Sequence, residues 1–343
     1  MIIAVDAMGG DQAPAVTVKG ALLAVRRFGV KVLLVGDEPR IRQHLGEEEV
    51  PEISIRHAPE VVAMGAQPLA AVRRQTASSI VQGVLAVKEG QADAFVSAGN
   101  TGAAMAASLL YWGRVKGVER PSIALAIPLP SGRRVLLLDA GAQVDSRPSH
   151  LVHYAYVGSI YVHKMWGLTS PRVGLLNIGE EETKGSELAV EVYRRLAAQS
   201  DLHFIGNIEG RDVFSGKADV VVCDGFTGNI FLKTVEGAIK FMLDMLHDAI
   251  DDDISAKIGA LLMRKAMRRV KNRLDYAEYG GMPLLGIQGV CIIAHGSSNE
   301  KAIMNAIGAA KEAVRNNVVK AINEVYLQKE GTLDGTSGNL GCR

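Results

Sequence analysis

Six short segments rich in Gly, Asp and Asn stand at the ends of apolar runs, and their residue types suit the binding of a small anion. They are Asp6-Ala-Met-Gly-Gly-Asp11, Ser97-Ala-Gly-Asn-Thr-Gly102, Asp139-Ala-Gly-Ala142, Asn177-Ile-Gly-Glu-Glu-Glu-Thr-Lys-Gly185, Asp224-Gly-Phe-Thr-Gly-Asn229 and His295-Gly-Ser-Ser298. Glycines such as Gly9, Gly10 and Gly228 let backbone approach a ligand closely. Helix N-termini offer unpaired N–H groups to an anion. In an open α/β sheet, strand C-terminal ends gather along one edge, where ligands bind. The expectation is therefore one crevice built from all six loops.

Each segment also has a plainer reading. Gly and Asn at strand ends are common turn residues. Asp6 and Asp11 suit turn or helix caps as well as a site. Asn100-Thr101, with Gly102 opening a small-residue helix, fits an anion site and a simple N-cap equally. Lys184 stands just before a helix, where the dipole disfavours a cation, so a shared anion explains it better than solvent alone. His295 reads either as a buried, hydrogen-bonded core histidine or as a site residue at a strand end.

The elements that must position these groups alternate. Ile2–Val5, Lys31–Val35, Ile53–His57, Ala94–Ser97, Val135–Leu138, Val173–Leu176, Val220–Val222 and Val290–Ile293 read as short buried strands. Helical patterns cover Val16–Phe28, Ala70–Lys88, Gly102–Trp112, Ser186–Ala198, Ile230–Ile250 and Glu300–Tyr326. Such alternation predicts βαβ units and a mainly parallel sheet covered on both faces. Ile123–Ile127 and Arg134–Leu138, joined through Ser131-Gly132, predict one antiparallel hairpin, so the sheet is mixed. The fold class expected is α/β, a three-layer αβα arrangement. Residues 1–328 form one catalytic unit, and Lys329–Arg343 read as a disordered tail.

Bulk composition excludes several classes. The 343 residues are 48% hydrophobic and 22% charged, with net charge +1. That balance gives no global field for nucleic acid. Cys223, Cys291 and Cys342 lack metal or redox spacing, which fits a reducing cytoplasm and no metal site. There is no signal-peptide pattern at Met1 and no apolar run near the ~20 residues of a membrane span. No G-x-G-x-x-G, zinc-binding H-E-x-x-H or G-x-S-x-G elbow is present.

A helical hairpin insertion is expected at about 253–277. Ile254, Ile258, Leu261 and Leu262 share one face, and Met263, Ala266, Met267, Val270 and Leu274 form a second, rotated stripe. The rotation predicts two short helices or a kink. Arg264, Lys265, Arg268, Arg269 and Lys271 lie opposite the second stripe. The hairpin reads as a packing or dimer-forming element, as an interfacial anchor on anionic lipid, or as a dock for an acidic carrier protein.

Taken together, in this order and spacing, the six segments closely resemble those of the bacterial phosphate acyltransferases, which move an acyl chain from acyl carrier protein to inorganic phosphate. The resemblance runs from Met1 to about Tyr326. It implies a fold similar to the isocitrate/isopropylmalate dehydrogenases and phosphotransacetylases, a homodimer, no cofactor, and a role in phospholipid synthesis in the cytoplasm, with peripheral contact at the inner face of the cell membrane. It implies catalytic roles for Lys184, Asn229, His295 and Asp224. Phosphate or substrate contacts are implied for Asp6, Gly9, Gly10, Asn100, Thr101, Gly102, Asp139, Gly228 and Ser297. Membrane or carrier-protein contact falls to Arg264, Lys265, Met267, Arg268 and Arg269. Gln12, Ala66, Gln75, Thr76 and Asn299 depart from the usual pattern and receive no role. Two other classes stay open: an oxidoreductase on a dehydrogenase-like fold, which nucleotide binding would reveal, and a non-catalytic scaffold.

Overall fold

The computed structural model describes residues 1–46, 50–251, 254–274 and 280–336. Eleven strands form a single sheet: β1 (Ile2–Asp6), β2 (Lys31–Gly36), β3 (Ile53–His57), β4 (Ala94–Ser97), β5 (Ser122–Pro128), β6 (Arg134–Leu138), β7 (Arg172–Asn177), β8 (His203–Glu209), β9 (Val220–Val222), β10 (Met282–Leu285) and β11 (Cys291–Ile293). Their order is β3-β2-β1-β4-β11-β10-β5-β6-β9-β7-β8. All neighbours run parallel except β11–β10, β10–β5 and β5–β6. The expected β5–β6 hairpin is present, with Ile127 facing Val135 and Ala124 facing Leu138.

Three successive reversals leave the two parallel groups with opposite polarity. The C-terminal ends of β1, β4 and β11 lie along one edge, and those of β6, β7 and β9 along the other. The six loops therefore do not share one edge, contrary to the expectation. β10, which the sequence pattern did not reveal, is the reason: Met282-Pro-Leu-Leu is short and starts beside Gly280-Gly281.

Helices cover both faces. On one face α3 (Pro68–Arg74), α4 (Ser79–Lys88) and α5 (Thr101–Tyr111) pack on Phe95, Ile293, Leu125 and their neighbours. The other face carries α1 (Ala15–Phe28) and α10 (Glu300–Arg315) over the first half of the sheet. It carries α6 (Pro148–Trp166), α7 (Glu187–Ala197) and α11 (Val318–Thr336) over the second. Alternation along β5 shows the division: Ile123, Leu125 and Ile127 join one core, and Ala124 the other. The remaining elements are α2 (Glu38–Leu45), α8 (Gly225–Asp251) and α9 (Ile254–Leu274).

The expected helix over Ala70–Lys88 is two helices, α3 and α4, separated where Ala77 N–H reaches Glu60 Oε2 at 3.2 Å. The expected helix over Glu300–Tyr326 divides at Asn317, whose φ of 52° is left-handed. Helix α11 is described as far as Thr336, past the expected start of the tail at Lys329, and 337–343 lie outside the described residues. Helix α9 is one unbroken helix of 21 residues, not two short ones. Ile254, Ile258, Leu261 and Leu262 of its first stripe are exposed, and on the second Met263 and Val270 are exposed while Ala266 and Met267 are half-buried. The ends of the expected hairpin, 253 and 275–277, lie outside the described residues.

Candidate active site

On the first edge, three loops are stitched together from below. Asp6 ends β1 and is 1% exposed. Its Oδ1 accepts Met8 N–H at 3.1 Å, and its Oδ2 accepts the Ser97 hydroxyl at 2.7 Å. Ser97 Oγ in turn accepts Gly99 N–H at 3.0 Å. Burial pushes the Asp6 carboxyl up, against the pull of these donors. A Cβ on Gly9 would lie 2.4 Å from Asp6 Oδ2 and 2.6 Å from Gly99 N, so only glycine fits there. Gly10, at φ 105°, turns the chain so that Asp11 N–H reaches Gly296 O at 2.8 Å. As placed, Asp6, Gly9 and Gly10 shape the loops from beneath the crevice wall.

Asn100 caps α5, its Oδ1 accepting Ala103 N–H at 2.9 Å. Its Nδ2 donates to Ala63 O, Met64 O and Ala66 O at 3.1, 2.8 and 3.2 Å. A Cβ on Gly102 would come 2.5 Å from Pro68 Cγ. Asn100 and Gly102 thus fix where α5 begins, and Thr101 is the member of this trio that lines the crevice. His295 lines it too. Its Nδ1 accepts Ser297 N–H at 3.2 Å and lies 2.7 Å from Ser297 Oγ. A neutral ring with an accepting Nδ1 carries its proton on Nε2, which makes Nε2 a donor.

On the second edge, Asp139 is fully buried. Its Oδ1 accepts Ile123, Gly141 and Ala142 N–H at 3.0, 3.2 and 3.0 Å, and its Oδ2 accepts Gln143 N–H at 2.8 Å. Burial outweighs these four donors and raises its pKa to about 6. The first turn of α8 packs directly on this loop: a Cβ on Gly228 would sit 1.9 Å from Asp139 O. Asn229 is held against Gly141. Asp224 accepts Thr227 N–H at 2.9 Å and the Thr227 hydroxyl at 2.7 Å, the pattern of a helix cap. Lys184 is exposed on the loop after β7, with its backbone held by Asn177 Nδ2 and Glu181 O at 2.9 and 3.1 Å. It does not line the crevice.

The crevice, about 400 Å³, crosses the sheet face at the antiparallel seam. Ile123, Leu125, Met282 and Ile293 form its floor. Loops from both edges close it: Asp11, Thr101 and His295 from one, Gly141 and Asn229 from the other. One side is α8, which contributes Leu232, Lys233 and Glu236. Lys233 Nζ pairs with Glu236 Oε2 at 2.8 Å. Lys233 was not singled out by the sequence reading. It lies four residues after Asn229, one helical turn on and on the same face, and that spacing was the available signal. Among the residues expected at the site, the structure brings Thr101, Asn229 and His295 to the crevice wall. Asn100, Gly102, Asp139, Gly228, Asp224 and Ser297 hold the wall in place, and Lys184 stands apart.

The arrangement suits an anion. Half-buried Thr101 and His295 and exposed Asn229 and Lys233 line it together above an apolar floor that excludes water from one side. Among the described residues no group of His, Cys, Asp and Glu is placed to hold a metal ion.

Comparison with known proteins places this geometry in a family. A model of the fatty acid synthesis protein family matches residues 1–321. The chain is 49% identical over 341 residues to a phosphate acyltransferase of Pelotomaculum thermopropionicum, covering 99% of this chain and 98% of that one. It is 52% identical over 326 residues to a phosphate acyltransferase of Desulfitobacterium hafniense, covering 94% and 97%. The fold is similar to that of a phosphotransacetylase from Streptococcus pyogenes, with a TM-score of 0.58, 17% identity and 94% of each chain covered. It is also similar to that of a 4-hydroxythreonine-4-phosphate dehydrogenase from Klebsiella pneumoniae, with a TM-score of 0.50, 13% identity and coverage of 92% of this chain and 99% of that one. With its family model matched over most of its length and relatives about half identical across nearly the whole of it, this chain belongs to the fatty acid synthesis protein family.

Proposed function

We propose that the chain transfers a fatty acyl group from acyl carrier protein to inorganic phosphate in the crevice at the antiparallel seam. The observation that carries this reading is the convergence of Thr101, Asn229, His295 and Lys233, from opposite halves of the sheet, on one crevice. Phosphate is itself the nucleophile, so one of its oxygens attacks the thioester carbonyl directly. A tetrahedral oxyanion forms, the C–S bond breaks, and acyl phosphate and the carrier thiol are the products. The protein's task is to place a dianion beside a carbonyl and to stabilise the new charge.

Lys233 neutralises phosphate, and Lys184, on the β7 loop outside the crevice wall, adds positive charge at a distance rather than a direct contact. Asn229 Nδ2 donates to phosphate or to the oxyanion. Thr101 and the α5 N-terminus hold phosphate oxygens. The Nε2–H of His295 donates a hydrogen bond to the departing sulfur or to phosphate, Ser297 sets the tautomer that makes this possible, and the thiolate takes up the proton that hydrogen phosphate loses on becoming acyl phosphate. Asp224 acts through α8, whose start it caps. No cofactor enters the scheme.

The donor protein is acidic, and the exposed Arg264, Lys265, Arg268 and Arg269 of α9 suit it. The same helix exposes Ile254, Leu261 and Leu262, at 78%, 68% and 82%, which suits contact with a membrane surface or with a second copy in a homodimer. Met267 of the same helix is half-buried. Among the described residues no helix is long and apolar enough to cross a membrane. We place the protein in the cytoplasm, touching the inner membrane face through this helix. The isocitrate/isopropylmalate dehydrogenase-like architecture belongs to the same reading and is tested by superposition on those enzymes.

Incubating the purified protein with palmitoyl-acyl carrier protein and phosphate tests the function. Acyl phosphate and free carrier thiol are expected in equal amounts. Thiol release without acyl phosphate, or no reaction, rejects it.

A further inference from the structure

The crevice does not end at Lys233. A second cavity of about 360 Å³ continues from it, and the two share Leu125, Ala126, Leu232 and Glu236. The character of the wall changes at that boundary. The crevice side holds Thr101, Asn229, Lys233 and His295. Beyond Glu236 the lining is apolar: the end of β5 and the turn after it (Ile127 to Pro130), Phe214, Val235 and Ile239 of α8, and Val270 of α9. Phe214 stacks on Phe231 with ring centroids 5.9 Å apart, which stiffens one wall.

Helix α8 runs along both compartments. Asn229 stands at the polar end and Ile239 at the apolar end, ten residues on, which is about 15 Å of helix. A substrate reacting beside Asn229 and Lys233 therefore has a continuous apolar path leading away from its carbonyl. That path is far longer than an acetyl group requires, and the Lys233–Glu236 pair marks where polar chemistry stops.

We infer that this second cavity is the acyl-chain site, holding the hydrocarbon tail of the donor while its thioester lies in the crevice, and that Val235, Ile239, Leu129 and Phe214 set the chain length accepted. The inference rests on the acyl-transfer reading above and adds the specificity pocket to it. Burial of methylenes is the driving force, so preference for long chains follows from contacts made only by long chains.

The test compares hexadecanoyl- and butanoyl-acyl carrier protein as donors, at saturating phosphate, in the wild type and in Val235→Trp and Ile239→Trp. Filling the cavity should lower kcat/KM for the hexadecanoyl donor by roughly 100-fold or more, since displacing even about two methylenes costs ~10-fold each, and leave the butanoyl donor within about 3-fold of wild type. Ile239→Ala, which keeps the helix, should lower only the hexadecanoyl value, on the order of 10-fold. Thermal unfolding and oligomeric state are followed in each variant. Equal changes for both donors, no change for either, or altered self-association with an unchanged chain-length ratio would overturn the inference, the last by showing that a second copy covers the cavity. A wild type that forms no acyl phosphate from either donor removes the acyl-transfer reading itself, and the pocket falls with it.

Discussion

Two buried aspartates underlie the two sides of the crevice, and they do different work. Asp6 links separate loops, taking the hydroxyl of Ser97 from β4 and the N–H of Met8 from its own turn. Asp139 organises a single loop, taking four backbone N–H groups within it or from the neighbouring strand β5, and the first turn of α8 then packs against that loop at Gly228. The first side is held by side-chain stitching, which one hydroxyl completes. The second is held by backbone shape, with a carbonyl oxygen filling the space a methyl group would need at Gly228. On the first side His295 follows a loop and Thr101 opens helix α5. On the second, Asn229 and Lys233 follow a helix.

The strongest contrast is chemical. Asn229→Asp should be the most damaging single change to turnover, because it removes a donor and adds a charge that repels phosphate. We expect a loss on the order of 10³-fold, against roughly 10² for Asn229→Ala, judged by the cost of removing one oxyanion donor. Steady-state rates at saturating phosphate check this, and equal rates for the two variants would mean that Asn229 does not face the anion.

Gly228→Ala attacks the backbone-shaped side. Its Cβ meets a carbonyl oxygen rather than a flexible side chain, so the helix must shift. We expect about 1–3 kcal/mol of lost stability, as for other overpacked sites, and displaced Asn229 and Lys233. Ser97→Ala attacks the stitched side by removing one hydrogen bond, at a cost of about 1 kcal/mol. Urea unfolding of both variants measures the difference. A larger loss for Ser97→Ala would reverse the comparison.

Burial pushes both carboxyls up, and for Asp139 this gives a pH test of the second side. In the folded chain Asp139 holds its proton up to about pH 6, whereas the ordinary Asp value is 3.8. Between those values the native state binds more protons than the unfolded one, so this group's contribution to stability falls as pH rises through that window. Asp139→Asn does not titrate. Its destabilisation relative to wild type should therefore be greatest near pH 4 and shrink by pH 7, which paired thermal melts across that range would show. A cost that grows with pH would contradict the assignment.

The smallest effect lies outside both sides. Changing Arg264, Lys265, Arg268 and Arg269 to Gln should leave phosphate affinity unchanged and weaken binding to anionic vesicles, to acyl carrier protein, or to both. Whatever is lost should already be salt-sensitive in the wild type, over a screening length of ~8 Å. Unchanged binding to both partners would remove the basic face from the account.

Much of this is legible in the sequence. The βαβ alternation, the β5–β6 hairpin and the six polar segments all follow from periodicity and turn residues. The polarity of the sheet halves did not, because it depends on β10, four residues with an internal proline. Strand β8 was hidden by Gly206 and Asn207, which interrupt His203-Phe-Ile and accompany a register shift against β7. Helix α6 was missed because its Tyr- and His-rich sequence carries a weak apolar stripe. At the site, motif residues stood out more than wall residues did. Asp6, Asn100 and Asp139 are conspicuous because loops need them, while Lys233, in the middle of a helix, is inconspicuous although it faces the crevice. Lys184 carries the opposite lesson. Its sequence position suggests an anion, yet along the chain's own fold it sits beyond the crevice wall.

A crystal structure of the protein with inorganic phosphate tests the central claim most directly. Phosphate should sit over the seam, within hydrogen-bonding reach of Thr101, Asn229, His295 Nε2 and Lys233 Nζ. Phosphate bound instead on the Asn177–Gly185 loop beside Lys184, with the seam crevice empty, would contradict the account.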